Sequence, residues 1–281
     1  MNIKYSRYTV TPKKRLNRLS SMAPKEGVFL SSEFNGKTVY ADYFPHIPLG
    51  DDSVDIFLAG FKDQKTEYQR KILQLLKDDF RFQEFPSKKF RNHQLWSGSE
   101  EIHSPVIKYK MLNQHDYVFH EALRAGIRVR LDANAMLTSS NMHLLIDSIR
   151  PEWRTLIDYV EDPFATTDWS AFPLKKARDF ISGTPFDLYI YKPNCEMLPE
   201  FSNLIFSAYL GHSLGNWHSY CELLENGNTQ IVQGIIGSGF YEEVNDFYLG
   251  DFETGFYPDL SIVRENYSAL AKRDWTTLCW M

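Results

Sequence analysis

The sequence predicts an α/β protein, a (β/α) barrel preceded by an α+β unit that caps it. Three observations carry this. From residue 105 onward short apolar strands alternate with helical segments, the signature of a parallel sheet, open or closed. Charged residues recur at the ends of those strands. The first 60 residues read differently, as a short β region with a hairpin signal.

The elements follow in order. Tyr5–Val10 reads as a first strand followed by a basic loop. GVFLSSEF and KTVYADYF flank Asn35-Gly36, a pair suited to a two-residue hairpin turn. The segment PHIPLGDD ends that pattern. Residues 62–83 predict a helix, because Tyr68, Ile72, Leu73, Leu75 and Leu76 recur at helical spacing among charges. Residues 84–104 are polar and read as irregular. They suggest a boundary near 100, with a capping domain over 1–100, a barrel domain over 101–244, and 245–281 returning to pack on the cap.

Within the barrel region VIKYKML reads as a strand, and HDYVFHEALRAG as a helix closed by Gly126. IRVRLDANA is a strand, and 139–156 a helix interrupted by Pro151. LIDYVEDPF is a strand stopped by Pro163. Residues 168–182 predict a helix, with Leu174, Ala177, Phe180 and Ile181 on one side and Gly183 after it. FDLYIYKPN is a strand stopped by Pro193. NLIFSAYL is another strand, followed by a helix around Gly215–Leu224, and QIVQGIIGSGF supplies one more strand.

Composition narrows the function. The 281 residues carry 31 Lys+Arg against 36 Asp+Glu, a net charge of −5, which argues against a nucleic-acid partner. No run reaches the length of a membrane span, so no membrane partner is expected. Cys195, Cys221 and Cys279 are few, odd in number and far apart, which predicts a reduced, cytoplasmic protein. Aromatics make up 15%, so Tyr and Phe should dominate the core.

The charges at the strand ends are the informative feature. Lys108 and Lys110 share a strand face. Asp132 lies on the face of Arg128, Arg130 and Asn134, opposite Ile127, Val129 and Leu131. Glu161 shares a face with Tyr159, and Lys192 with Ile190. From Lys110 to Asp132, Glu161 and Lys192 the intervals are 22, 29 and 31 residues, about one βα unit each. In a (β/α) barrel such positions open into one mouth. Two carboxylates there repel unless a cation or protons neutralise them. Mg²⁺ prefers hard oxygen ligands and keeps room for a substrate oxygen. A lysine beside it becomes a usable base, which suits proton abstraction next to a carboxylate.

As a set, VIKYKML, RVRLDANA, DYVEDPF, YIYKPN and IFSAYLGHSLG resemble the enolase superfamily, most closely its o-succinylbenzoate synthase branch. GVFLSSEF and YADYFPHIPLG look like that family's capping domain. The resemblance implies a barrel of enolase type. It implies Lys110 as the base, Lys108 as its support, Lys192 on the opposite face of the substrate, and Asp132 and Glu161 as metal ligands. Asn134 would stand beside the metal shell, and Ser207 at a substrate-contacting position. The cofactor implied is Mg²⁺, with Mn²⁺ as a substitute. The reaction implied is dehydration of a cyclohexadiene carboxylate in menaquinone synthesis. N-acylamino acid racemisation or dipeptide epimerisation, and a degenerate ligand-binding barrel, are the alternatives. The oligomeric state is not implied.

The family uses a third carboxylate on a strand between those of Glu161 and Lys192, where this sequence predicts a helix. On one strand Asp187 would lie roughly 17 Å from Lys192. Asp179 fits only if the helix is absent. The expectation is therefore a barrel truncated by one βα unit, or a ligand from elsewhere.

Overall fold

The computed structural model describes residues 2–13, 21–111, 113, 115–236, 241–242 and 247–278. The chain opens with β1 (Lys4–Val10), β2 (Lys25–Phe34) and β3 (Lys37–Tyr43), an antiparallel meander. Asn35 and Gly36 both take positive φ, 50° and 74°, as a two-residue hairpin turn requires. Helix α1 (Val54–Gly60) and helix α2 (Glu67–Phe82) follow. Thr66 and Gln69 form a reciprocal capping box that starts α2. Its buried Ile72, Leu75 and Leu76 join Leu30, Val39 and Ala41 of the sheet in one core.

The barrel strands come next: β4 (Arg91–Asn92), β5 (Gln94–Trp96) and β6 (Val106–Lys110), then α3 (His120–Arg124) and β7 (Arg128–Asp132). Helix α4 (Ser139–Ser148) and a 3₁₀ segment, Pro151–Leu156, precede β8 (Ile157–Glu161). Then come β9 (Lys176–Arg178), β10 (Leu188–Tyr191), β11 (Leu204–Phe206), α5 (Ser213–Asn226) and β12 (Val232–Gln233). Strands β5 to β11 form one parallel sheet in sequential order. Strand β12 pairs with β4, and Ser207 bridges to Gly234 in parallel, so β12 links the two edges of the sheet.

The strand alternation sorts side chains as the sequence predicts. Ile107, Tyr109, Val129, Leu131 and Val160 pack outward with Leu123 of α3 and Leu145 of α4. Tyr159, Ala177, Ile190 and Ile205 form a separate small cluster on the other face, inside the barrel.

Two expectations fail here. Residues 168–182 are not a helix; they form turns leading into β9. Pro173 lacks the N–H a helix interior needs. Trp169, wholly buried, donates its Nε1–H to the carbonyls of Thr166 (2.8 Å) and Phe164 (3.3 Å). Gly183 lies flat against that indole, where a Cβ would sit 1.7 Å from a ring carbon. The helical spacing of Leu174, Ala177, Phe180 and Ile181 is coincidental, for Phe180 is 43% exposed. The stretch 84–104, read as irregular, supplies β4 and β5. The truncation of the fold thus falls on its outer layer: among the described residues no α-helix lies between β8 and β11.

The C-terminal part holds the hairpin β13 (Tyr248–Asp251) and β14 (Gly255–Pro258), then α6 (Leu260–Ala271) and β15 (Thr276–Thr277). Strand β15 pairs with β1. Residues 237–240, in the segment read as a last strand, and Cys279 lie outside the described residues.

Candidate active site

The register places the strand-end charges side by side. Lys110 pairs with Asp132, Asp132 with Glu161, and Glu161 with Ala177. Asp179 is two residues past Ala177 on the same side of the chain, and Lys192 is two past Ile190. The row climbs by two residues as it passes round the sheet, in keeping with the tilt of barrel strands.

The side chains meet. Lys108 Nζ lies 2.7 Å from both carboxylate oxygens of Glu161 and 3.3 Å from Asp132 Oδ2. Lys110 Nζ lies 3.2 Å from Asp132 Oδ2. Lys192 Nζ pairs with Asp179 Oδ1. Lys108, Lys110, Lys192, Asp179 and Ser207 line one cleft of about 100 Å³, together with His93 of the barrel and His46 and Leu49 from the N-terminal region. Ser207 Oγ donates to the Gly234 carbonyl at 3.1 Å. Asn134 has a positive φ of 47°, and its N–H donates to Asp132 Oδ1 at 3.3 Å. It steadies Asp132 and is not among the residues lining the cleft. Asp187 accepts from the Lys176 N–H at 2.8 Å, at the other end of the strands and away from the mouth.

Asp179 is the carboxylate that the predicted helix had hidden. Asp162 holds its backbone: the Asp162 carboxylate accepts the N–H groups of Asp179 (3.0 Å) and Phe180 (3.1 Å). Asp162 is fully buried, with a φ of 42°. The pair Glu161-Asp162 before Pro163 was visible in the sequence, but the capping of a segment 17 residues on was not.

Charge is concentrated here. Burial pushes the Glu161 carboxyl well up; Lys108 opposes this, and Asp132, Asp179 and Asp162 reinforce it. Asp132 is also penalised by burial, but Lys108 and Lys110 more than reverse that and hold it below the usual carboxylate range. Burial, and then the Asp179 charge, push Asp162 up to about 7. Burial would lower Lys108 and Lys192, yet their carboxylate partners outweigh it and keep both firmly protonated. Three carboxylates, Asp132, Glu161 and Asp179, face three lysines at one mouth.

The donor set suits a hard divalent cation. Asp132, Glu161 and Asp179 offer oxygen at the ends of three neighbouring strands, and each is already neutralised by a cationic group. Among the described residues no three of these side chains converge on one point, because Lys108 stands between Asp132 and Glu161, and Asp179 turns to Lys192.

The strand ends of the parallel barrel thus bring carboxylates and lysines to one charged cleft. No family model matches the chain. Over 230 residues it is 28% identical to o-succinylbenzoate synthase of Bdellovibrio bacteriovorus, a match spanning 69% of each chain. The crystal structure of o-succinylbenzoate synthase from Thermosynechococcus elongatus BP-1, complexed with Mg in the active site, superposes with a TM-score of 0.64 at 14% identity. That match covers 96% of this chain and 100% of the other. An enolase family member from Agrobacterium tumefaciens with homology to dipeptide epimerases, holding bound sodium and L-Ala-L-Glu, gives 0.62 at 12% identity over 92% and 97%. The chain thus has the fold of enolase superfamily structures and is similar in sequence to o-succinylbenzoate synthase.

Proposed function

We propose that the chain is a Mg²⁺-dependent carbon–oxygen lyase that dehydrates a cyclohexadiene carboxylate to 2-succinylbenzoate, a cytoplasmic step of menaquinone synthesis. The observation that carries this reading is the placement of Lys110 and Lys192. They reach one cleft from strands on opposite sides of the acidic row.

Asp132, Glu161 and Asp179 would hold the ion, and Mn²⁺ suits the same oxygen donors. When bound, the ion neutralises the second negative charge that develops on the substrate carboxylate. Lys110 Nζ removes the proton α to that carboxylate, giving an enediolate. Lys108 remains protonated beside it and adds positive charge. Lys192, protonated through Asp179, donates from the opposite face and stabilises the same charge. The C–O bond to the ring hydroxyl then breaks, and the hydroxyl leaves as water with the proton that Lys110 carried. The ring becomes aromatic. Ser207 borders the cleft where it can hydrogen-bond the substrate.

The test is purified protein with Mg²⁺ and the succinyl-substituted hydroxycyclohexadiene carboxylate, following the aromatic product by absorbance. Absence of turnover in the wild type would sink the reading. Lysines on both faces also favour a second reading, racemisation of an N-acylamino acid or epimerisation of a dipeptide. Deuterium uptake at the α-carbon of such a substrate, without dehydration of the other, would select it.

A further inference from the structure

His93 is a buried titratable group that the reaction above does not use. It fills the one-residue interruption between β4 and β5, and its backbone N–H donates to the Gln233 carbonyl at 2.9 Å. Its ring lines the cleft with Lys108, Lys110 and Ser207. Gly234 passes against the ring so closely that a Cβ there would meet Cε1 at 2.7 Å.

The ring's tautomer follows from its neighbour. His93 Nδ1 lies 3.1 Å from Arg130 Nη1. A guanidinium has donors only and keeps its proton, so Nδ1 must accept. In the neutral ring the single proton then sits on Nε2. Arg130 is itself immobilised: Nε donates to Asp158 Oδ2 at 3.1 Å, Nη2 donates to the Val232 carbonyl at 2.9 Å, and the guanidinium lies 5.2 Å over the Tyr159 ring. Burial, and then the charges of Arg130, Lys108 and Lys110, hold the imidazole well below its ordinary pKa, so it stays neutral. Nε2 has no hydrogen-bond partner among the described residues. A fixed donor without a partner, on a ring that lines the cleft, is satisfied only by something entering from the cleft.

We infer that His93 is a substrate-binding residue whose Nε2–H, oriented by Arg130, donates a hydrogen bond to an uncharged carbonyl oxygen of the substrate, the ketone in the lyase reading. The lysines provide the positive charge that a carboxylate needs. A neutral donor adds direction without altering the charge balance of the site. The identity of the substrate rests on the lyase reading; the state of the ring does not.

Two measurements test this. In ¹⁵N-histidine spectra, His93 is assigned by comparison with His93→Gln. The expected spectrum has a proton on Nε2 and a bare Nδ1, and the Nε2 signal moves when 2-succinylbenzoate is added. In kinetics, His93→Ala raises KM about tenfold with a smaller change in kcat, while His93→Gln, which keeps an N–H donor, stays within about threefold of wild type. A proton on Nδ1, an Nε2 signal unmoved by saturating 2-succinylbenzoate, or a wild-type KM in His93→Ala overturns the inference. Should the wild type turn over while Nε2 stays unmoved, only the histidine's role falls. Should the wild type not turn over, the lyase reading falls, and the histidine's role is decided by its nitrogen signals with an N-acylamino acid, the ligand of the second reading.

Discussion

From β6 to β8 the barrel is wrapped by its own helices, whereas from β8 to β11 no α-helix lies among the described residues. On the first side Leu123 of α3 and Leu145 of α4 cover the strands. On the second, Trp169 and Phe172, two aromatics on a turn-rich segment, cover β8 beside Val160, and Tyr191 of β10 and Phe206 of β11 turn outward into the core they share with the later helix α5. The N-terminal region also reaches over: Tyr209 O–H donates to Asp51 at 2.5 Å, and the Met197 N–H donates to Glu67 at 3.0 Å. Both sides nonetheless deliver acid–lysine pairs to one cleft. What a strand needs in order to present its end is burial of its outer side, and a helix is only one way to provide it.

The sharpest test of the difference is Lys110→Ala, on the helix-covered side. Its loss as base is expected to reduce kcat/KM about 10³-fold. A smaller effect than that of Lys192→Ala would move the base to the helix-free side. Next is Trp169→Ala. If the indole replaces a helix, melting experiments should show a loss of about 3–5 kcal/mol, and an unchanged melting temperature would break the comparison. Asp179→Asn should weaken Mg²⁺ binding at least about tenfold by calorimetry. Equal affinities would leave the ion held by Asp132 and Glu161 alone.

A further effect concerns Asp42, which accepts from Tyr8 O–H at 2.5 Å and packs 3.2 Å from the Cβ position of Gly215 in α5. Burial raises its carboxyl from 3.8 to about 7. A raised folded-state pKa means that the contribution is complete below the unfolded value and is lost as pH rises through the folded one. Between pH 4 and 7, wild-type stability should therefore fall relative to Asp42→Asn, by on the order of 1 kcal/mol per pH unit. Parallel stability curves for the two proteins would exclude Asp42 as the titrating group.

The sequence was legible wherever a strand carried its own alternation. Val129 and Leu131 turned outward and Arg130 and Asp132 inward, as the period of two dictates. Lys108, Lys110, Asp132, Glu161, Lys192 and Ser207 all lie at or beside one cleft. Asp179 was not legible, because β9 is three residues long and its neighbours happen to recur at helical spacing. What decides that segment is the fit of Gly183 to Trp169 and the grip of Asp162 on two N–H groups, contacts that no local pattern encodes. His93 and Arg130 were hidden for a related reason: they meet across 37 residues.

The join at β12 has a consequence for exchange with solvent. Its ladder is short, and much of its attachment comes from side chains. Gln233 Oε1 accepts the Phe206 N–H at 2.8 Å, Asn92 Oδ1 accepts the N–H groups of Ile235 (2.9 Å) and Ile236 (3.2 Å), and Arg130 binds the Val232 carbonyl. Amide protons at Ile235 and Ile236 are therefore sequestered by an amide side chain rather than by a neighbouring strand. They exchange once Asn92 rotates away, a local opening far cheaper than the global unfolding that frees Val129 or Leu131. Deuterium should reach Ile235 and Ile236, on the line that sews the barrel shut, before it reaches Val129 or Leu131.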